Sequence, residues 1–354
     1  MKPFQLFAVV QKGIESLAND ELAEAGTTYA RLQPGGFAFP GHLTTLMRLN
    51  LRLRLTSRLL VEAASFPAHG FRDLQKGLAA IDWSPFLGQQ KLRLRVNCYR
   101  SALYHETAVA ERVRQVVPHN PRGTVEQLVI VTLQQDVVRV SIDSSGDHLH
   151  KRGWSAWRGE APLRETIAAA LLRVAGWHQS GALLADPFCG SGTIPLEACA
   201  MRLGLSPHRN RSFAFQSWPC FRPDLWRKAV TELPAPDPAP FRVMAADIDP
   251  GAVEVARHNA TALDIGDCLE FQQAPFAAFK TEPGMTVVTN PPWGIRLKTS
   301  QDDWERLRRL CRHGVKVVAL LPEPLAERSG GRIAFRTRSG MHNVAAVVWE
   351  PQVN

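Results

Sequence analysis

Residues 186–193 read Asp186-Pro187-Phe188-Cys189-Gly190-Ser191-Gly192-Thr193, between an apolar run at 182–186 and a helix-compatible run at 193–203. The pattern predicts a strand, a glycine-rich turn and a helix. Glycines in such a turn let the chain bend tightly and let a ligand come close to the main chain. The helix that follows offers free N–H groups. The loop is neither GxGxxG nor a phosphate-binding P-loop, because no Lys follows Gly192. The plain reading of such a turn is a tight connection. Two acidic residues add to it. Asp186 opens the loop, and Asp247 closes the next strand in Ala246-Asp247-Ile248-Asp249-Pro250. A carboxylate at the second position can accept both hydroxyls of a ribose, and one at the first can face an ammonium. Asp249-Pro250 reads as the cap and first residue of a helix. Ribose and amino group without phosphate describe the two halves of S-adenosylmethionine.

Working outward, the pattern predicts helix 163–175, strand 182–186, helix 193–203, strand 241–247, helix 250–263, strands 268–272 and 285–290, helix 301–312 and strand 315–321. A hairpin over 332–337 and 342–349 follows. Strands alternating with helices imply a parallel sheet covered on both faces. Asn290-Pro291-Pro292-Trp293-Gly294 follows one of these strands. Two prolines stop pairing and stiffen the chain, so a rigid turn is the plain reading. The Trp after them, at the ligand-binding end of a parallel strand, points to chemistry. A nucleobase amine is a poor nucleophile because its lone pair is delocalised. Two acceptors aimed at its N–H groups, the Asn290 side-chain oxygen and the Pro291 carbonyl, would hold it and favour a tetrahedral nitrogen. Trp293 would stack on a base taken out of its helix, worth roughly 1–3 kcal/mol. Positioning, rather than a strong base, would be the main contribution.

The N-terminal part reads differently. Strand 4–10, helix 13–25, the alternating strand 91–98 with Lys91, Arg93 and Arg95 on its outer face, helix 105–117 and strands 125–133 and 136–143 make an α+β unit. The polar, basic stretch 144–160 reads as the joint. The 354 residues suit two or three domains. The formal charge is +9, with +6 in residues 1–160 and +3 in 161–354, which favours contact with a polyanion. No apolar run reaches the ~18–20 residues of a membrane span. The six cysteines form no CxxC pair, which argues against zinc and a disulfide framework and fits a reducing cytosol. No metal is expected.

These motifs resemble those of the THUMP-domain class I RNA methyltransferases that make N2-methylguanosine, in the ribosomal and transfer RNA branches. VQKGIESLANDELAEAG (10–26), AIDWSPFL (80–87), LHKRGW (149–154), APLRETIAAALL (161–172), DPFCGSGTIPLEA (186–198), FAFQSWPCF (213–221), ADIDPGAVEVARHNA (246–260) and NPPWGIRL (290–297) follow the family's order and spacing. The resemblance implies an α/β, Rossmann-like methyltransferase domain, mostly a parallel sheet with a C-terminal antiparallel hairpin, behind a ferredoxin-like/THUMP RNA-binding region. The divisions expected are 1–150, a linker at 151–161 and a catalytic domain at 162–354. The cofactor implied is S-adenosylmethionine, the partner RNA (rRNA or tRNA), and the place cytoplasmic. Asp186, Cys189, Gly190, Gly192 and Thr193 would line the cofactor, with Asp247 on its ribose. Asn290, Pro291 and Trp293 would hold the base, with Arg296 behind. Lys151, Arg152, Arg209 and Arg211 are candidates for RNA phosphates. The chain departs from the family where Gln272-Gln273-Ala274-Pro275 offers no acid for the adenine amine, and where Trp293 stands in place of Tyr. Two other functions fit: adenine-N6 methylation of RNA or DNA, and a non-catalytic RNA-binding assembly factor.

Overall fold

The computed structural model describes residues 3–152, 163–179, 183–208, 211–233, 240–293 and 302–351. Contacts divide the chain into two compact units. The first holds Met1–Val10, Leu22–Leu149 and Arg211–Glu232; the second holds Gln11–Glu21, His150–Asn210 and Leu233–Asn354. The division is therefore not linear. The expected catalytic stretch from 162 onward gives residues 211–232 to the first unit, and the chain near residues 11–21 groups with the second.

The first unit is a seven-stranded sheet. Its elements are β1 (Phe4–Val10), α1 (Glu15–Glu24, shared with the other unit), β2 (Arg31–Gln33), β3 (Gly36–Gly41), α2 (Leu43–Arg52), β4 (Thr56–Pro67), α3 (Phe71–Ala79), β5 (Lys91–Tyr99), α4 (Glu106–Val116), β6 (Glu126–Gln134) and β7 (Val137–Asp143). The strand order is β2-β3-β1-β4-β7-β6-β5. All pairs are antiparallel except β5 with β6, which α4 connects. β4, twelve residues long, pairs with β1 on one side and β7 on the other, and a register shift between Glu62 and Ala64 lets it serve both. Its first half is buried on both faces, so it lacks the alternation that marks a strand in sequence. β5 is one of the two edge strands, and Lys91, Arg93 and Arg95 are exposed on it.

The second unit begins with α5 (Glu165–Ala175), β8 (Leu183–Asp186) and α6 (Thr193–Arg202). The chain then supplies α7 (Pro223–Thr231) to the first unit. It returns for β9 (Arg242–Asp247), α8 (Pro250–Ala262), β10 (Leu269–Gln273), β11 (Thr286–Thr289), α9 (Asp302–Leu310), β12 (Lys316–Pro322), α10 (Glu323–Arg328), β13 (Arg332–Ser339) and β14 (His342–Trp349). The sheet order is β10-β9-β8-β11-β12-β14-β13. The first five strands are parallel; β14 runs antiparallel between β12 and β13. Val317–Leu321 and Val344–Val348 are buried without interruption, as strands covered on both faces must be. The chain reverses direction across the sheet at β8, with β9 on one side and β11 on the other. Open parallel sheets bind ligands at the carboxyl ends of strands around such a point.

Residues 211–232 are tied into the first unit by specific bonds. Phe215 N–H donates to Ser144 O (3.1 Å), Trp218 Nε1–H to Gln127 Oε1 (2.7 Å) and Gln90 Nε2 to Ser217 O (2.5 Å). Phe215 and Trp218 are buried there, with Phe86 edge-on to Trp218 at 5.1 Å. The segment 213–221, expected beside the catalytic motifs, is thus core of the other unit. Its four aromatics need an apolar home, and Trp218 finds it between Phe86 and Gln127 of β6.

Candidate active site

β8, β9 and β11 end side by side on Asp186, Asp247 and Thr289. Parallel pairing puts these three ends on one edge of the sheet. The loop after β8 is shaped by two glycines. Gly190 has φ +52 and Gly192 φ +89, a region costly for residues with a Cβ. A Cβ on Gly192 would come within 3.1 Å of Ala256 on α8, so this glycine also lets α6 and α8 approach. A Cβ on Gly190 would meet nothing within 4 Å. It would project into open space, where the loop leaves room for a ligand against the backbone. Thr193 opens α6.

The loop is fastened to the second strand. Cys189 N–H donates to Ala246 O (2.9 Å), and Gly190 N–H donates to Asp247 Oδ2 (2.9 Å). The other oxygen of Asp247 accepts from Asp249 N–H at 3.0 Å. Asp249 accepts from Gly251 N–H at 2.9 Å and caps α8. Each Asp247 oxygen keeps a further lone pair. Asp186 is 2% exposed. It accepts from Phe188 N–H (3.1 Å) and from the Thr289 hydroxyl (2.6 Å). Burial pushes its carboxyl up to about 7; the two hydrogen bonds oppose the rise, and neighbouring Asp247 adds to it. A cation arriving here would restore the ionised form. Cys189 is buried, and burial with the two nearby carboxylates pushes its thiol far above the ordinary range. It stays a thiol and is no nucleophile.

The residues after β11 supply the second half of the site. Asn290 Oδ1 is buried and has no hydrogen-bond partner among the described residues. A buried acceptor left unmatched costs about 1–3 kcal/mol, so it marks a place where a donor belongs. Pro291 is buried, and Trp293 is half-buried. The indole is fixed by Nε1–H donating to Leu320 O (3.2 Å) at the end of β12, with the His342 ring edge-on at 5.9 Å. Thr289 was not among the residues read from sequence. It joins the two halves: its hydroxyl holds Asp186 while its neighbour is Asn290. A short apolar strand ending in Thr carries no signal for this. After β10, where the resemblance implies an acid, Phe276 packs against Phe188 with ring centres 5.0 Å apart, an apolar wall in place of a carboxylate.

The basic candidates fare differently. Arg152 is 1% exposed and pairs with Glu197, itself fully buried, at 3.5 Å. It is therefore an interior ion pair and not a phosphate contact. Removing one partner of such a pair costs about 3–5 kcal/mol. Arg152→Ala is expected to lower the melting temperature sharply while Arg152→Lys, which keeps the charge, recovers part of it; thermal melting reads the difference. Arg211 lies in the first unit and donates to the carbonyls of Ser145 (3.2 Å), Asp147 (2.7 Å) and His148 (3.0 Å), with its guanidinium 5.4 Å from the Phe213 ring centre. These contacts occupy it in tying residues 211–213 to the loop after β7. Lys151 is exposed. Arg209 and Arg296 lie outside the described residues, as do Trp154, Trp157 and Pro162.

A parallel sheet finished by an antiparallel hairpin, with carboxylates at the ends of two adjacent strands and Asn-Pro-Pro-Trp at the end of a third, defines a Rossmann-like methyltransferase. Residues 152–338 match the RMKL-like methyltransferase-domain family, and the chain belongs to it. Residues 5–60 match the RlmL ferredoxin-like domain. The chain is 32% identical over 313 residues to YpsC of Bacillus subtilis (strain 168), provisionally named an RNA methyltransferase; the alignment covers 84% of this chain and 81% of that one. Among solved structures it resembles SMU.472, provisionally named a methyltransferase and crystallised with S-adenosylhomocysteine (TM-score 0.88, 27% identity, 100% of both chains). It also resembles a Listeria monocytogenes str. 4b F2365 protein, titled by prediction an N6-adenine-specific DNA methylase (TM-score 0.81, 30% identity, 99% of this chain and 97% of that one).

Proposed function

We propose that this protein is a cytoplasmic enzyme that transfers a methyl group from S-adenosylmethionine to the exocyclic N2 of a guanosine in structured ribosomal or transfer RNA. The observation that carries it is the buried Asn290 Oδ1, without a partner among the described residues, at the same sheet edge as the Gly190 loop. The residues fit the cofactor: Gly190 leaves space at the backbone, Asp186 suits the ammonium, Asp247 has lone pairs for the ribose hydroxyls, and Phe188 and Phe276 offer an apolar wall for the purine. When bound, S-adenosylmethionine supplies an electrophilic methyl on a sulfonium. The protein's own part is positional. Asn290 Oδ1 accepts one N–H of the base amine, which fixes the nitrogen and returns electron density to it. Trp293, pinned at Leu320, gives a platform whose orientation does not wander. The exposed cations of β5 suit the phosphates of a folded RNA.

Adenine N6 is also an exocyclic amine, and the name given to the Listeria protein favours a second reading on that base. Methylating unmodified cellular RNA with labelled cofactor and digesting it to nucleosides separates the two. Label in N2-methylguanosine supports the first, label in N6-methyladenosine the second. Absence of any cofactor binding by calorimetry would leave a non-catalytic RNA-binding assembly factor.

Thr289 offers a test of the coupling within the site. Thr289→Val removes a hydrogen bond that stabilises ionised Asp186, so the carboxyl's pKa rises beyond about 7. A larger fraction is then protonated near neutrality and cannot pair with an ammonium. Cofactor affinity is expected to fall about tenfold at pH 7, more at lower pH, and to recover toward wild type in alkaline solution. Thr289→Ser should restore the wild-type profile. Calorimetry across pH reads this, and a pH-independent loss would contradict it.

A further inference from the structure

The second unit carries a cavity of about 560 Å³ with no part in the site just described. Parallel β11 and β12 place Asn290 and Pro322 at one edge of the sheet; Lys316 starts β12 at the other. Trp349 pairs with Val317 and Val344 with Pro322, so the end of β14 and the start of β13 lie at that opposite edge. Four guanidinium side chains line the cavity there: Arg308 and Arg309 of α9, Arg312 just beyond it, and Arg332 opening β13. All four residues are exposed.

The charges are only partly matched. Arg309 pairs with Glu305 at 3.3 Å and Arg332 with Glu350 at 3.9 Å, a carboxylate that Lys316 also reaches at 3.7 Å. Arg308 and Arg312 form no ion pair among the described residues. A basic last turn suits a helix dipole, but Arg332 is on a strand, where that explanation does not reach. Two carboxylates, Glu305 and Glu350, line the cavity as well and offset part of this charge. Cys311 Sγ–H donates to Trp349 O at 3.3 Å, and Trp349 Nε1–H donates to Ser329 O at 3.3 Å. What the cavity offers a ligand is four forked cations against two carboxylates, a net positive charge. Guanidinium forks match phosphate oxygens in pairs, and the volume far exceeds one inorganic phosphate.

We propose that this arginine groove is a second RNA contact, gripping the sugar-phosphate backbone of the substrate at the end of the sheet opposite the reacting base. The proposal rests on the reading of RNA as substrate. A folded RNA bound at both ends would be held in register while one base is presented at Asn290, and the groove would read charge rather than sequence.

The test uses the full-length protein and a fluorescein-labelled RNA hairpin. In the triple variant R308Q/R312Q/R332Q the slope of log affinity against log salt is expected to flatten by about two units, since each lost phosphate contact removes about 0.7–0.9. Affinity at low salt should fall at least tenfold. Binding of S-adenosylhomocysteine and the melting temperature should stay at wild-type values, because none of the three side chains touches the site. The lysine counterpart R308K/R312K/R332K keeps the charge, and its slope should stay near wild type. A triple Gln variant with the wild-type slope and affinity would overturn the groove while leaving RNA as substrate. Wild-type protein that fails to bind any RNA hairpin would overturn both. Should the triple variant be unstable, the single R312Q, with a slope change of less than half a unit, would also count against the groove.

Discussion

Asn290→Ala is expected to slow methyl transfer by roughly 10²–10³ while leaving cofactor affinity nearly unchanged. The side-chain oxygen is buried without a partner among the described residues, so the fold bears the cost of desolvating it. Only the amine of the target base recovers that cost, and it does so most fully as the nitrogen becomes tetrahedral and its N–H groups more acidic. The binding of S-adenosylmethionine depends on other groups, Asp186 and Asp247 and the Gly190 backbone, which the substitution leaves in place. Single-turnover kinetics with saturating cofactor, together with calorimetry for S-adenosylhomocysteine, separate the two effects. A variant with near-wild-type rate would remove Asn290 from the mechanism whatever the product. One with lost cofactor binding and unchanged chemistry would place it on the wrong half of the site.

Asp247→Ala is expected to weaken S-adenosylmethionine about ten- to a hundredfold, the worth of hydrogen bonds to a charged group. Two contributions add. The carboxylate presents free lone pairs for the ribose hydroxyls, and it holds the loop through Gly190 N–H and its own turn through Asp249 N–H. Asp247→Asn keeps one acceptor oxygen and should fall between the two. It would retain either the loop contact or the turn contact, but lose the charge that strengthens both. Titration calorimetry gives the affinities, and wild-type affinity in the alanine variant would show that the ribose is held elsewhere.

Much of this site is legible in the sequence because its parts are local. The turn over 186–193 needs glycine at two positions for reasons of backbone conformation alone, and two prolines after a strand leave few conformations. Strand and helix periodicity in 163–349 places those turns at the same edge of a parallel sheet without any contact being known. Less of the N-terminal unit can be read. β4 is buried on both faces over its first half and carries no alternation, and α2, though amphipathic, sits between β3 and β4 with no marked cap. Thr289 is invisible for another reason: a hydroxyl bonded to a carboxylate 103 positions away leaves no mark on its neighbours.

What the sequence determined by itself, then, is the class of fold and the chemistry at strand ends, since short-range sterics and periodicity govern both. Only the tertiary structure decided which charges are spent inside the protein. Arg152 and Lys151 are adjacent in the chain and equally basic, yet one is sealed against Glu197 and the other is exposed. Arg211 sits beside a stretch that looks catalytic but is half-buried in the other unit, bonded to three carbonyls of the loop after β7. The cavity that gathers Arg308, Arg312 and Arg332 draws on a helix end and a strand about twenty residues further along the chain. The fate of a cation depends on what the folded chain brings opposite it: a buried charge survives only with a partner, and that partner's position is a property of three dimensions.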